Sequence, residues 1–204
     1  MIQYDSSIEQ EANNLLESMV ANGVTQTSIG SVKWLLWRNQ PSKQSTCIKM
    51  GRFAEKFFML FVDRASGFSN MPSGLIAGIG KGGKKKDVDF LFKSDIKKKI
   101  YYSELKGNID LDTEKLPATL NKINHIEKWC KSQYPDYQVE ASLFNWAVYD
   151  EEDCPHKSKL QVAKNSKVNV MFPRDLFDLL GVDIERKEYY DIFLRFGKKL
   201  MENN

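Results

Sequence analysis

The sequence predicts an α/β (α+β) chain in which a central mixed β-sheet is flanked by helices. Two observations carry that expectation. Stretches 86–92 (KDVDFLF) and 99–106 (KIYYSELK) are strand-like and lie a short turn apart, so they read as a hairpin. A helical repeat over 117–131 then leads into another strand-like run, as a crossover helix between strands does.

Each element follows from its pattern. Residues 7–22 read as an amphipathic helix, with Ser7 and Gln10 as a capping box, an apolar face of Ile8, Ala12, Leu15, Leu16 and Met19, and Gly23 closing the end. A short helix is expected at 31–38, around Trp34 to Trp37. Residues 50–64 predict a strongly apolar helix with Phe53, Phe57, Leu60 and Phe61 inward. The stretch 66–83 is rich in Gly, Ser and Pro and reads as a loop. In the first strand Val88, Phe90 and Phe92 share one side, and Asp87 and Asp89 the other. In the second, Tyr102, Glu104 and Lys106 share a face. The helix at 117–131 has Pro117 near its start, with Leu120, Ile123, Ile126 or Glu127, and Cys130 along its repeat. Strands at 138–149 and 167–172 and helices at 174–180 and 185–202, parted by Gly181, complete the chain.

A length of 204 residues with 42% hydrophobic content suits one domain over 1–204 and excludes a largely disordered chain. N-terminal helices would occupy 1–65, the sheet and crossover helix 84–172, and C-terminal helices 173–204. No apolar run approaches the roughly 20 residues of a membrane span. The polar, acidic start argues against a signal peptide, and three cysteines at unrelated spacings argue against a disulfide framework. The expectation is a soluble, intracellular (cytoplasmic) protein with no membrane partner.

The net charge of +3 is an average over unlike parts. Between Lys81 and Lys99 eight lysines face three aspartates, a local excess of five positive charges. A basic segment on a near-neutral body points to a polyanion such as nucleic acid; a lysine-rich hairpin that merely keeps the chain soluble is the plain alternative.

Chemistry enters with Asp89 and the triplet Glu104–Leu105–Lys106. Strand alternation puts Glu104 and Lys106 on one side, about 6–7 Å apart, and hairpin pairing brings Asp89 to them. Asp87 competes with Asp89; Asp89 is preferred because it borders the apolar run Phe90–Phe92. Two carboxylates and the Leu105 carbonyl suit a hard cation such as Mg²⁺, and a lysine can orient water and offset charge developing on phosphorus.

In KKKDVDFLF, YYSELKGN and the following LDTEK the chain resembles the PD-(D/E)XK nuclease superfamily, most closely type II restriction endonucleases. The likeness spans Glu55 to Tyr149 in order of elements. It implies a restriction-endonuclease-like domain in a prokaryotic cell. Asp89, Glu104 and Lys106 would bind metal and activate water, and Glu55 on the preceding helix would assist. Val88 stands where the motif has proline, a departure that members often share. The activity implied is Mg²⁺-dependent hydrolysis of double-stranded DNA at a specific site, by a homodimer, leaving 5′-phosphate ends. DNA contacts would come from Lys81, Lys84, Lys85 and Lys86, and from Asn108, Thr113 and Lys115 where a helix N-terminus can meet a phosphate. Two other readings stay open: a repair, recombination or transposition nuclease of the same superfamily, and a non-enzymatic DNA-binding module.

Two further patterns carry less. Gly78, Gly80 and Gly83 spell the dinucleotide fingerprint, but lysines and a strand follow where a helix should begin, so no nucleotide cofactor is expected. His125, Cys130, Cys154 and His156 have spacings unlike zinc modules.

Overall fold

The computed structural model describes residues 2–21, 43–107, 115–155, 157–166 and 168–202. Among them the strands are β1 (Ile2–Gln3), β2 (Ser69–Asn70), β3 (Gly74–Ile76), β4 (Lys86–Val88), β5 (Phe90–Ser94), β6 (Lys99–Lys106), β7 (Gln138–Asn145), β8 (Asn169–Met171) and β9 (Val182–Asp183). The helices are α1 (Ser6–Ala21), α2 (Lys43–Arg64), α3 (Lys115–Gln133), α4 (Lys157–Asn165), α5 (Pro173–Leu180) and α6 (Arg186–Glu202). The expected α/β (α+β) class is observed. The chain forms two compact units, residues 1–2 with 59–183 and residues 3–58 with 184–204. The helix expected at 31–38 lies outside the described residues.

The first unit holds a five-stranded mixed sheet in the order β2-β5-β6-β7-β8. The expected hairpin is present: β5 pairs antiparallel with β6, from Phe90 opposite Ser103 to Ser94 opposite Lys99. Strands β6, β7 and β8 run parallel, which requires crossovers; α3 makes the first and α4 the second. Helix α4 was not expected, since its short repeat is interrupted by Lys and Gln residues.

The two faces of the sheet have different chemistry. On one, Leu91, Ile100, Tyr102 and Leu143 pack with Ile123, Ile126 and Cys130 of α3 and Leu160 and Ala163 of α4. Burial pushes the Cys130 thiol up to about 12. On the other, Phe92 stacks on Tyr101 at 4.9 Å between ring centroids, and the Ser103 and Ser142 hydroxyls pair at 2.8 Å. A strand covered on both faces explains why Phe90, Leu91 and Phe92 are all buried.

The expected strand 86–92 is broken at Asp89. Its first half, β4, pairs antiparallel with β3 in a separate ribbon, and its second half, β5, joins the main sheet. The expected loop 66–83 therefore contains β2, β3 and a 3₁₀ turn at Lys81–Gly83. The glycine pattern builds the turn of this ribbon: Gly78 has φ +85°, and a Cβ on Gly80 would lie 2.9 Å from the Lys84 carbonyl oxygen. The third strand stops at Asn145 rather than residue 149, because a turn begins at Trp146.

The described residues of the second unit are mainly helical. Phe53 stacks on Phe196 at 4.1 Å, Phe57 meets Phe193 edge-on at 5.4 Å, and Arg195 pairs with Glu9 at 2.8 Å. Asp5, not Ser7, caps α1: its Oδ1 accepts the N–H groups of Ser7 and Ile8 at 2.9 and 3.0 Å. A carboxylate at that end also meets the positive pole of the helix. Within α2, Phe58 is fully buried while Leu60, expected inward, is half-buried.

Candidate functional site

The site grows from a change of polarity along one face of β6. Its inward residues run Ile100, Tyr102, Glu104, Lys106, from apolar to charged toward the C-terminal end. Since α3 returns antiparallel to β6, its Ile126 and Cys130 cover the apolar half and its earlier turn meets the charged half.

Glu104 is 2% exposed and faces three donors. Lys106 donates to Oε1 at 2.8 Å, Tyr102 donates its hydroxyl to Oε2 at 2.7 Å, and Lys122 of α3 lies 2.5 Å from Oε2. Asp89, at the break between β4 and β5, is held from two sides. Leu105 donates its backbone N–H to Oδ2 at 3.0 Å, and Lys122 donates to Oδ1 at 2.8 Å. Asp89, Glu104 and Lys106 thus converge as the sequence predicts, and one lysine ammonium bridges the two acids.

Charge placement sets the proton affinities. Burial, reinforced by the neighbouring Glu104 charge and opposed by Lys122, pushes Asp89 up to about 6. Burial acts on Glu104 in the same sense, but the ammonium groups of Lys106 and Lys122 outweigh it and hold its carboxyl below the usual range. Lys122 is buried too, yet its two carboxylate partners raise its affinity for the proton. Burial and the carboxylates around it push the Tyr102 phenol far above its ordinary value, so it remains a donor.

No family model, no curated protein and no solved structure matches the chain.

The remaining predicted residues fall in three groups. Lys84 and Lys85 are exposed and Lys86 is half-buried, all on the ribbon leading into Asp89; Lys81 lies in the 3₁₀ turn before them. Lys115 is exposed at the first position of α3. Asn108 and Thr113 lie outside the described residues. Glu55 belongs to the other unit, half-buried on α2 between Ala54 and Phe57. Asp87 is exposed on β4 opposite Leu75, so the strand break separates it in environment from Asp89.

Three site residues were missed in sequence. Lys122 lies on the buried stripe Thr119, Ile123, Ile126, Cys130, and a lysine at such a position was the available signal. Tyr102 shares a face with Glu104, and only pairing reveals its role. Asn145 is opposite Lys106 in the parallel register, 3% exposed, and its Oδ1 has no hydrogen-bond partner among the described residues. Gly107 ends the strand beneath Trp146, whose ring would lie 3.2 Å from an added Cβ.

A cleft of about 750 Å³ elsewhere in the same unit is lined by residues including Glu151, Lys164, Asn169 and Arg174. Its charges are largely spent on each other: Lys164 pairs with Glu151 at 2.5 Å and Arg174 with Asp150 at 3.6 Å. The acid cluster, with its perturbed carboxylates, is the better candidate.

Proposed function

We propose that this chain is a Mg²⁺-dependent DNA endonuclease, of the type II restriction kind, acting as a homodimer on double-stranded DNA. The observation that carries the reading is the convergence of Asp89 and Glu104 on a single cation, the Lys122 ammonium, with Lys106 at the open side.

Among the described residues no three His, Cys, Asp or Glu side chains gather to hold a metal ion. The oxygen donors present nevertheless fit Mg²⁺, which takes few protein carboxylates and keeps several waters. Asp89, Glu104 and the Leu105 carbonyl would hold it. When bound, it would polarise a phosphoryl oxygen and make a nearby water more acidic. Lys106, about a third exposed, reaches the solvent side and would orient the attacking water and offset charge on the phosphoryl group. Tyr102 and the Leu105 N–H hold the two carboxylates in place before substrate arrives. Lys84, Lys85 and Lys86 would track the DNA backbone beside Asp89. A two-fold DNA site calls for a two-fold protein, which supports a dimer.

One observation favours a second reading. Both acids are fully paired with lysines, as in a charge cluster that only supports the fold. A DNA-binding module of that kind would bind DNA in a salt-dependent way without cutting it. Incubating a phage genome with the protein in Mg²⁺ and in EDTA separates the two. Discrete fragments with 5′-phosphate ends in Mg²⁺ alone support the nuclease; binding without cleavage supports the module. Non-specific or structure-dependent cutting would indicate another nuclease of the superfamily.

A further inference from the structure

Lys122 has three properties that a surface lysine does not combine. It comes from the crossover helix, it is largely buried, and its ammonium lies 2.8 Å from Asp89 and 2.5 Å from Glu104. Among the described residues a second ammonium, that of Lys106, pairs with the other oxygen of Glu104 at 2.8 Å.

Two buried carboxylates this close repel one another and need a cation. In this structure the cation is supplied by the chain itself. A divalent ion bound to the same oxygens would put two further positive charges beside a buried ammonium. We infer that Lys122 is a resident counter-ion that exchanges with the divalent cation: it bridges Asp89 and Glu104 in the metal-free protein and swings away when the ion binds. The metal affinity of the site is thereby set by competition with an internal amine. This inference rests on the nuclease reading only for the purpose of the cation; the exchange itself concerns the two acids and Lys122.

No bond is made or broken in the exchange. Both partners remain charged, and the only change is which cation the carboxylates hold. Lys122 is therefore a positioning residue, and its signature is found in metal binding rather than in rate alone.

The test uses the whole protein without DNA, with Mn²⁺ as probe and its free-ion electron paramagnetic resonance signal as readout. Lys122→Met should tighten Mn²⁺ binding by on the order of tenfold or more, because one positive charge no longer competes. Lys122→Arg, which keeps the charge, should stay near wild type. Since Lys122→Met can also lose its fold, the wild-type protein provides a second measurement. Reductive methylation read by mass spectrometry should label Lys122 several-fold faster in saturating Mn²⁺ than in EDTA. Unchanged or weaker Mn²⁺ binding by folded Lys122→Met overturns the exchange. So does Lys122 labelling indifferent to Mn²⁺, or a complete lack of Mn²⁺ binding by both proteins. If exchange is seen and no DNA is cut, the nuclease reading fails and this inference stands; cutting without exchange gives the reverse.

Discussion

The backbone N–H of Leu105 donates to the Asp89 carboxylate at 3.0 Å, across sixteen residues of chain. The strand that carries Glu104 and Lys106 therefore also aims the acid on its neighbour. A main-chain donor cannot rotate away as a side chain can, so the spacing of the two acids is set by sheet register. Asp89→Asn keeps an acceptor for this bond and loses the charge. It should leave the fold cooperative by circular dichroism while lowering metal-dependent cleavage about a hundredfold or more. Wild-type cutting by Asp89→Asn would remove Asp89 from the site.

The raised Asp89 affinity has a definite pH signature. Its folded value of about 6 lies above its ordinary 3.8, so between those values the folded protein keeps a proton that the unfolded chain has released. Its contribution to stability is therefore complete below 3.8 and is lost as pH rises through about 6. Thermal melts in EDTA should show that decline in wild type and a flatter profile in Asp89→Asn. Divalent binding should run the other way and strengthen as pH rises through about 6.

Glu104 is the most enclosed charge in the site, and its loss has two consequences. Glu104→Gln removes the carboxylate partner of Lys106 and leaves Lys122 with Asp89 alone, at a cost of about 3 kcal/mol by urea unfolding. Its cleavage should fall by about a hundredfold or more. A variant that is inactive and equally stable would argue against the buried triad of ion pairs.

The lysine ribbon makes a separate prediction about binding. Replacing Lys84 and Lys85 together by Ala should weaken DNA binding across all sequences. The slope of log affinity against log salt should become shallower by about 2. A change confined to one DNA sequence would move these lysines from backbone contact to base recognition.

Asn145 tests whether the orphan amide belongs to function or to the core. Its Oδ1 is buried without a partner among the described residues, beside Lys106 in the sheet. Asn145→Leu should stabilise the fold by about 1 kcal/mol by removing that oxygen, and should slow cleavage about tenfold. A stabilised variant with undiminished cleavage would show that the amide has no part in the reaction.

Much of this arrangement was legible in the sequence. The β5–β6 hairpin follows from the alternation of Phe90, Phe92, Tyr102 and Glu104 and from the short lysine turn, because such alternation has meaning only on a pleated ladder. The break at Asp89 was hidden, since Val88, Phe90 and Phe92 alternate straight through it. Only pairing of β4 with β3 reveals the change of partner. Lys122 was hidden for a different reason. Leu120 is the natural choice for the first turn of the apolar stripe, yet Thr119 is the residue buried there, and 119, 122 and 126 share a face. The proposal of cleavage rests on the resemblance and the geometry together, and composition contributes only the basic stretch around Asp89.

The most direct measurement compares wild type, Glu104→Gln and Lys106→Ala on end-labelled phage DNA, in Mg²⁺ and in EDTA. Wild type in Mg²⁺ should give discrete double-strand cuts with 5′-phosphate ends, with none in EDTA or from either variant. Cutting by wild type in EDTA, cutting by either variant at the wild-type rate, or no cutting by any of them would contradict the nuclease reading.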